Sequence, residues 1–504
     1  ANPLHEQAVA QVLADAFDFV SLSHEISPEA REFERTATTV VNASLMPMVS
    51  GYMDRLTKRV PPSVTVRLFH SAGGMTSPAH VRERPLSLAL SGPAAGASGA
   101  AAVAGELGPE RAISFDMGGT TTDVCLILDG QVEISSDRRI AGRPIRQPIA
   151  AIETIGAGGG SIISLRSGGL FVGPESAGAD PGPACYGFGG DRATIADADL
   201  VLGYLDHERP LAGKIRLDPE AARRALAPLA ESLSLNVEAA AGGISQVAHA
   251  TMARAVRRVS VERGIDTRQC ALIAFGGAGP MHACGLADAT QIDTIVVPAA
   301  SGGFSALGCV TAKASFSHQQ TVRLASRSWC PDLFHRLRSE ITGKARDPLL
   351  EVGHSPDAIR IEEVALVRYA GQSGTAEVPV AAGDGRAEID HAFHAAHERL
   401  YGFSTGEDWI VESYRVSARE SAERPVVDGT NAAGPHGALA DATCWFSDLG
   451  ACQTPRLWRS NLEPGKVFKG PMLILDDWST TVVDFGFEVS ATPAGHLVLR
   501  RRAV

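Results

Sequence analysis

Apolar residues recur along this chain at two spacings, one typical of helices and the other of strands. Residues 4–16 alternate apolar and polar at the helical spacing, and residues 36–56 show a similar pattern that passes through Pro47. We predict a helix over the first range and a long helix, interrupted near Pro47, over the second. Two further helices are predicted over 219–232 and 239–264.

Shorter apolar runs are bounded by glycine-rich turns and indicate strands. The runs "RAISFDMGG" and "TDVCLILDGQVEI" predict two strands joined by a turn, and "ALIAFGGAGPMHACGLAD" predicts strand, glycine turn and helix in that order. Further on, "EEVALVRYAGQSGTAEVPV" and "FKGPMLILDDWSTTVV" alternate like strands, with one helix near 389–400. This mixture predicts an α/β protein with a β-rich C-terminal part.

Composition supports the α/β prediction and narrows the range of partners. Of 504 residues, 44% are hydrophobic, only 6% are aromatic and 52 are glycine, which suits an α/β protein with many tight turns. The formal net charge of -11 argues against nucleic acid or an anionic membrane as the main partner. No apolar run reaches the roughly 18 residues that a membrane span requires.

The eight cysteines form no CxxC pair, and most stand in apolar runs. We therefore predict buried free thiols in a reducing compartment rather than disulfides or zinc ligands. Together with the lack of a signal-peptide pattern in these residues, this predicts a cytoplasmic protein.

A first candidate for chemistry is the stretch "SFDMGGTTTD", where an acid, two glycines and three threonines follow an apolar run. Gly118 and Gly119 allow a tight turn with accessible N–H groups, and Thr120, Thr121 and Thr122 add hydroxyl donors. Such a turn suits a phosphate, and Asp116 beside it suits the accompanying Mg²⁺. A plain β-hairpin whose glycines serve only the turn is an equally open interpretation of this motif alone.

Two more glycine-rich stretches favour the phosphate interpretation. Gly276, Gly277, Ala278 and Gly279 follow an apolar strand and precede a helix that begins near Pro280, the arrangement of an anion site at a helix N-terminus. This stretch is neither a Walker A loop nor GxGxxG. A third loop, "GAGGGS", spans 156–161.

These motifs carry a family resemblance. "FDMGGTTTD" and "FGGAGP" resemble the phosphate and adenosine motifs of the actin, sugar-kinase and heat-shock-chaperone ATPases. More specifically, the chain resembles the A subunit of the hydantoinase/oxoprolinase family, which includes acetone carboxylase β subunits. The matching stretches run in order along almost the whole chain: "NPLHE", "SLSHEISPEAREFERTATTVVNASL", "LSGPAAGASGA", "ISFDMGGTTTDV", "TIGAGGGSI", "SAGADPGPACYG", "DADLVLGYL", "SVERGID", "AFGGAGPMHA", "SALG", "VRYAGQS", "YGF" and "GPMLILDD".

The resemblance implies an actin/sugar-kinase-like ATPase fold with two ribonuclease H-like lobes that hold ATP between them, plus a C-terminal α+β domain. It divides the chain into residues 1–82 (remainder of the first lobe and a connecting helix), 83–312 (second lobe) and 313–504 (β-rich domain). The family carries two DxGGT motifs, one in each lobe, and "DMGGT" here resembles the second. The first lobe is expected to be incomplete, because the first of these motifs does not occur in this sequence.

The resemblance also implies roles for individual residues. Asp116 and Asp180 are the expected catalytic residues, and Asp116 and Asp123 would hold Mg²⁺ or another divalent metal. The residues expected to bind ATP are Gly118, Gly119, Thr120, Thr121, Thr122, Gly158, Gly159, Gly160, Ser161, Gly276, Gly277, Ala278 and Gly279. Two positions depart from the family: an acid is expected where Ala151 stands and often a histidine where Glu153 stands, so Glu153 is a candidate substitute.

The function implied is that of the nucleotide-binding subunit of an ATP-dependent cyclic amide or imide hydrolase, of hydantoinase or 5-oxoprolinase type. Such a subunit activates the carbonyl oxygen of a small cyclic amide by phosphorylation and works with a B-type partner in a hetero-oligomer. The alternatives are a β-type subunit of an ATP-dependent ketone carboxylase and a non-catalytic structural subunit of such a complex. A plain small-molecule kinase is disfavoured, because the region from about Ala312 resembles the hydantoinase family.

Other polar clusters favour structural interpretations. His24 and Glu25 indicate a solvated helix N-terminus rather than a metal site, and His282 a packed, hydrogen-bonded histidine. His391, His394 and His397 are predicted on an exposed helix face. The arginines expected to contact acidic groups are Arg254, Arg257, Arg258 and Arg263.

Overall fold

The computed structural model of the chain describes residues 3–136, 138–140, 142–211, 213–351, 353–421, 437–447 and 449–502. The chain forms two compact units, each assembled from separate segments. The first unit comprises 1–95, 134–150 and 311–425, and the second comprises 96–133, 151–310 and 426–504. Residues 313–504 thus contribute to both units, and their predicted role as one functional domain stays a prediction.

The α-helices of the described ranges are α1 (Leu4–Leu13), α2 (Ser23–Ile26), α3 (Glu32–Arg59), α4 (Pro78–Glu83), α5 (Ser91–Leu107), α6 (Ile195–Val201), α7 (Pro219–Ser232), α8 (Val237–Val259), α9 (Gly279–Thr290), α10 (Phe304–Thr311), α11 (Pro331–Glu351) and α12 (Arg386–Tyr401).

The strands of the same ranges are β1 (Leu68–His70), β2 (Gly74–Thr76), β3 (Arg111–Met117), β4 (Thr122–Leu128), β5 (Gln131–Val132), β6 (Ile134–Ser135), β7 (Arg138–Ile140), β8 (Arg143–Ile145), β9 (Ile149–Ala150), β10 (Ile152–Ile155), β11 (Ser161–Arg166), β12 (Gly169–Ser176), β13 (Ala271–Phe275), β14 (Thr294–Val297), β15 (Ser315–Ala325), β16 (Ile359–Tyr369), β17 (Ala376–Val380), β18 (Trp409–Glu420), β19 (Ala442–Phe446), β20 (Gly450–Thr454), β21 (Arg456–Trp458), β22 (Val467–Lys469), β23 (Met472–Leu475), β24 (Thr480–Val483), β25 (Phe487–Ala491) and β26 (Leu497–Arg501).

The second unit is built on a mixed sheet of nine strands. Its order is β10-β4-β3-β13-β14-β26-β25-β22, with β5 paired to β4. β13 runs parallel to both β3 and β14, whereas the other neighbouring strands pair antiparallel. The predicted α/β class is confirmed by this sheet and its helices.

Helices cover both faces of this sheet, which explains its nearly continuous apolar strands. Phe115 and Met117 of β3 belong to a core shared with α8 and α9, whereas Ala112 belongs to a core shared with α5 and α10. Neighbouring residues of a strand point to opposite faces, so a strand covered on both sides needs apolar residues at nearly every position. All five residues of β13 are accordingly buried.

The first unit contains a second, fully antiparallel sheet in the order β15-β18-β16-β17. Its core includes Tyr369, Phe393, Trp409 and Tyr414, with Ile341 from α11. β17 alternates buried and exposed residues, which shows that one face of the sheet is covered there and the other is open.

The structure confirms the start of the first predicted helix but not the predicted break in the long helix. α1 begins at Leu4 as predicted, but α3 runs from Glu32 to Arg59 without a break at Pro47. Residues on both sides of this proline, including Asn42 and Met53, are buried, so tertiary contacts hold the two halves of the helix in line.

All eight cysteines are free, and five of them are buried, in agreement with the prediction of free thiols. Cys309 and Cys452 are half-buried and Cys330 is exposed, which corrects the expectation of burial at these three positions. In the described ranges, every helix is too short or too polar to cross a bilayer.

Candidate functional site

The three glycine-rich loops meet at one edge of the nine-stranded sheet. Asp116 at the end of β3 pairs with Phe275 at the end of the parallel strand β13. On the other side of the hairpin, Thr122 pairs with both Met117 of β3 and Ile155 of β10. Because all three strands end at this edge, the loops 118–121, 156–160 and 276–278 emerge side by side.

The loop 156–160 is bonded to the turn between β3 and β4. The N–H of Gly159 donates to the carbonyl of Gly118 at 3.0 Å, and the N–H of Gly160 donates to that of Gly119 at 2.6 Å. A Cβ on Gly158 would lie 2.6 Å from the backbone nitrogen of Thr120, closer than real Cβ atoms approach. Glycine is therefore needed here to let two backbones touch.

The loop 276–278 approaches the same turn from β13. Gly276 has φ +85, and a Cβ there would lie 2.5 Å from the carbonyl oxygen of Met117. The N–H of Ala278 donates to that same carbonyl at 3.0 Å. The loop then enters α9, whose N-terminus carries the positive end of the helix dipole.

The contacts between the loops leave exposed backbone donors unused. Gly119, Thr120 and Gly277 are exposed, and across the described ranges their N–H groups have no hydrogen-bond partner. Backbone N–H groups that project from glycine turns beside a helix N-terminus form a site for an anion such as phosphate.

Two carboxyl groups lie beside these donors. Asp116 and Asp123 are register partners across the hairpin, and the Ser305 hydroxyl donates to Asp116 Oδ2 at 2.9 Å. Burial raises the pKa of Asp116 to about 6; the Ser305 hydrogen bond lowers it and the charge of Asp123 raises it. Burial also raises the pKa of Asp123, although hydrogen bonds from Thr154 and Thr121 lower it.

The donor set bears on the predicted metal. In the part of the chain that the structure describes, no group of three or more His, Cys, Asp or Glu side chains could hold a metal ion. Asp116 and Asp123 provide two carboxylates, and Mg²⁺ bound with a nucleotide commonly takes one or two carboxylates and completes its shell with water and phosphate oxygens. The pair therefore fits Mg²⁺ only in the company of a phosphate ligand.

Several residues predicted to bind the nucleotide are occupied by internal contacts. Thr122 is fully buried, and its hydroxyl donates to the carbonyl of Ala157 at 2.6 Å. The Ser161 hydroxyl accepts from the N–H of Gly158 at 2.8 Å. The N–H groups of Gly159 and Gly160 are also bonded to the turn between β3 and β4. These residues therefore hold the turn in position. Direct contact between them and a nucleotide stays a prediction.

Asp180 lies on an exposed loop next to this assembly. The loop is attached by the N–H of Ala177, which donates to the carbonyl of Gly160 at 2.8 Å, and is closed on itself by the N–H of Gly182, which donates to the carbonyl of Ala177 at 3.2 Å. A catalytic role for Asp180 stays a prediction.

The two positions that depart from the family resemblance have distinct surroundings. Ala151 is buried, and its N–H donates to the carbonyl of Glu133 at 2.8 Å. Glu153 forms an ion pair with Arg258 at 2.5 Å, and Arg263 pairs with Glu133. Contacts with acids are thus confirmed for Arg258 and Arg263, whereas Arg257 donates to the carbonyl of Ala289.

Ser305, which contacts Asp116 directly, is not among the residues predicted from the sequence. It stands in the "SALG" stretch, so its place in a matching motif was the available signal. His282 is buried as predicted, and its partners come from segments that no local pattern connects with it. Its Nε2 lies 3.2 Å from Asp199 Oδ2 and its Nδ1 lies 3.1 Å from His249 Nε2. Burial lowers the pKa of His249 to about 3.

Two further histidines of the sequence predictions have partners within the protein. His24 is the second residue of the short helix α2, and its Nδ1 lies 2.9 Å from Glu6 Oε2. The prediction of an exposed histidine face on α12 is wrong for His397, which is buried. The core of the first unit packs around this helix, and the His397 ring bonds to the carbonyl of Phe403 at 2.8 Å.

An α/β sheet covered on both faces, with glycine loops and a carboxylate pair at the ends of its strands, is an arrangement typical of nucleotide-binding proteins. The family model described as hydantoinase/oxoprolinase matches residues 35–318. The chain belongs to this family.

Sequence relatives with named functions cover almost the whole chain. The caprolactamase subunit alpha of Pseudomonas jessenii is 34% identical over 98% of this chain and 74% of its own length. The acetone carboxylase beta subunit of Xanthobacter autotrophicus is 26% identical over 100% of this chain and 74% of its own length. The 5-oxoprolinase of Dictyostelium discoideum is 29% identical, and the match spans only 40% of that protein.

Two solved structures, of a caprolactamase and of acetone carboxylase, are similar to this chain. The ATP-dependent caprolactamase from Pseudomonas jessenii matches with a TM-score of 0.86 and 32% identity, over 100% of this chain and 75% of that chain. The nucleotide-free structure of acetone carboxylase matches with a TM-score of 0.75 and 25% identity, over 99% of this chain and 75% of that chain.

Proposed function

We propose that this chain is the nucleotide-binding subunit of an ATP-dependent hydrolase that opens small cyclic amides or imides, of the hydantoinase or 5-oxoprolinase type. The observation that carries the proposal is the meeting of three glycine loops around Asp116 and Asp123, with unused N–H groups at Gly119, Thr120 and Gly277. The likeness to the ATP-dependent caprolactamase supports ATP as the nucleotide.

The proposed fold is the second lobe of an actin/sugar-kinase-like ATPase. The features that support it are a β-hairpin whose turn carries Asp116 and the glycines, a parallel neighbour that leads through Gly276 into a helix, and helices on both sheet faces. The full two-lobed arrangement with ribonuclease H-like lobes is part of this proposal.

Each group of residues has a defined task in the proposed site. The N–H groups of Gly119, Thr120 and Gly277 donate to phosphate oxygens, where they offset the negative charge that the transferring group carries. Asp116 and Asp123 would hold Mg²⁺ in its phosphate complex, and a cation there would offset the repulsion between the two carboxylates. Ser305 orients Asp116 through its hydrogen bond.

ATP, when bound, supplies a phosphoryl group that turns a carbonyl oxygen into a leaving group and makes the carbonyl carbon electrophilic. The turn 118–121 is held in position by the loop residues Gly158, Gly159, Gly160 and Ser161. Asp180, on the loop tied to Gly160, is placed in this proposal near the reacting groups. A B-type partner subunit completes the reaction in a cytoplasmic hetero-oligomer.

A β-type subunit of an ATP-dependent ketone carboxylase is the second candidate, and the match to acetone carboxylase favours it. It uses the same activation of a carbonyl oxygen with a different second step. The higher identity and TM-score of the caprolactamase match support our preference for the hydrolase.

The test is ATP hydrolysis by the full chain, purified together with the subunits that remain bound to it. Hydrolysis that depends on a hydantoin, 5-oxoproline or caprolactam supports the hydrolase, and hydrolysis that depends on acetone plus bicarbonate supports the carboxylase. Asp116→Asn should abolish turnover, whereas Asp129→Asn, the same change in the exposed turn after β4, should not. Nucleotide binding without turnover on any substrate would support a structural subunit.

A further inference from the structure

The first unit contains a cavity of about 400 Å³ whose lining includes no residue of the glycine loops. Its walls come from the turn after α2, the β1–β2 hairpin, α4, the start of β15 and part of α11. Sites for small organic molecules occupy about 300–1,000 Å³, so the cavity has the volume of a small-ligand site.

The walls carry buried hydroxyl groups that no described residue satisfies with a hydrogen bond. Ser27 is 1% exposed and Thr76 is 4% exposed. Within the described ranges, the hydroxyls of Ser27, Thr76 and Ser87 have no hydrogen-bond partner. A buried polar group without a partner costs about 1–3 kcal/mol, so three at one cavity indicate a ligand that bonds to them.

Neutral imidazoles add further polar contacts. His318 Nε2 is also buried without a partner in the part of the chain that is described. Burial lowers the pKa of His318 to about 4 and the pKa of His80 to about 3, so both rings are uncharged at neutral pH. His70 is different, because its Nε2 bonds to the carbonyl of Ser315 at 2.9 Å and its Nδ1 accepts from the N–H of Ala72 at 3.2 Å.

The charged groups at the cavity point to an anion. Four cations line it, against three carboxylates: Arg67, Arg84, Arg146 and Lys344 against Glu29, Glu83 and Glu351. Burial lowers the pKa of the half-buried Arg84, which donates to the carbonyl of Glu25 at 2.7 Å, and the charges of Glu25 and Glu83 raise it. The buried carboxylate of Glu29 accepts a hydrogen bond from Gln319 at 2.9 Å. A negatively charged ligand would balance the excess of cations at this wall.

An apolar wall indicates that the ligand has an organic body. Ile26, Met75, Phe316 and Leu349 line the cavity beside the polar groups. Apolar side chains bury the hydrocarbon part of a ligand, while a few placed polar groups set its orientation. Inorganic phosphate would leave this wall unused.

We propose that the cavity binds a small organic carboxylate, whose oxygens accept from the Thr76 and Ser27 hydroxyls and from Arg84 while its carbon chain packs against Phe316 and Met75. The site lies in the first unit, and the glycine loops with Asp116 and Asp123 lie in the second. The lining of the cavity includes none of the residues of the glycine loops, so its proposed ligand is argued without reference to the proposed reaction.

The test is isothermal titration calorimetry of the full chain with hexanoate and with its uncharged analogue hexanamide. Hexanoate is expected to bind at millimolar concentration or below, and hexanamide at least about tenfold more weakly, because it lacks the charge that Arg84 compensates. The absence of heat with hexanoate, or equal binding of both compounds, would overturn the proposal. If inorganic phosphate displaced hexanoate with the same affinity as hexanoate itself binds, the cavity would be a general anion site and the proposal would be overturned as well.

A variant in the cavity and a matched control outside it test whether hexanoate binds in the cavity. Thr76→Val removes the orphaned hydroxyl with little change in shape, so the protein should fold with an unchanged or higher Tm and bind hexanoate at least about fivefold more weakly. Thr57→Val, on α3 outside the cavity, should leave hexanoate binding unchanged. Should Thr76→Val not fold, Ser27→Ala serves in its place, with Ser44→Ala as its control. Unchanged affinity in the cavity variant would contradict the proposal.

Discussion

Asp116 and Asp123 lie opposite each other across the β3–β4 hairpin, and the charge of Asp123 helps to raise the pKa of Asp116 to about 6. Two carboxyl groups in one partly buried place repel each other when both are ionised. Such a pair is costly for a hairpin that has only a structural role. In the proposed site the carboxyl pair has a use, because it can hold the cation that accompanies a phosphate bound to the N–H groups of the turn.

Asp116→Asn should stabilise the protein at neutral pH while removing turnover. The folded state keeps the Asp116 proton up to about pH 6, whereas the ordinary pKa is 3.8, so the folded state binds more protons between these values. The free energy of unfolding therefore falls as pH rises from about 4 to 6, and the loss persists above that range. The variant should recover about 2–3 kcal/mol at pH 7–8, measured by urea unfolding.

The comparison across pH is the check on this prediction. Below about pH 4 the wild type and the Asn variant should have similar stability, because Asp116 is then protonated in both the folded and unfolded states. A stability gain that is equal at all pH values would show that the ionisation of Asp116 is not its cause.

Gly158→Ala should destabilise the second unit. The added Cβ would lie 2.6 Å from the backbone of Thr120, which cannot move without breaking the bonds between the loop and the turn. We expect a loss of about 1–3 kcal/mol in the free energy of unfolding. Gly118→Ala is the control for stability, since no heavy atom lies within 4 Å of its Cβ position. Equal stability of the two variants would contradict the close packing of the loops.

Gly277→Ala should weaken nucleotide binding without loss of stability. Its Cβ position has no heavy atom within 4 Å, so the folded protein tolerates the change. In the proposed site a phosphate approaches the Gly277 N–H, and the methyl group obstructs that approach. We expect at least about tenfold weaker ATP binding in a fluorescent-nucleotide displacement assay. Gly303→Ala, with equally open surroundings, should bind as the wild type does.

His282→Leu should destabilise the protein far more than a lost surface contact would. His282 is the hydrogen-bond partner of Asp199 Oδ2, and Oδ1 of the same buried carboxylate has no partner within the described ranges. Removal of the ring leaves the Asp199 carboxyl buried without a donor, at a cost of about 3–5 kcal/mol by urea unfolding. His282→Gln retains a donor and should lose less. If the two variants lose the same amount, the hydrogen bond is not what matters.

Local sequence patterns were sufficient where the local chain controls the outcome. The runs around Asp116 and around Gly276 predicted strands and glycine turns, and α7 begins and ends as predicted from 219 to 232. Pattern was not sufficient for α3, where contacts on both sides of Pro47 keep the helix continuous, or for His397, which the core of the first unit buries.

The sequence by itself determined the fold class, the family and the three glycine-rich stretches, because apolar spacing and turn residues are local properties. Tertiary structure alone decided that these stretches meet, since strand pairing brings residues 116, 155 and 275 to one edge. It also decided which donors remain available, because the N–H groups of Gly159 and Gly160 are used between loops whereas that of Gly277 is not. The cavity around Thr76 and Ser27 likewise arises only when segments distant in the chain pack together, which no local pattern records.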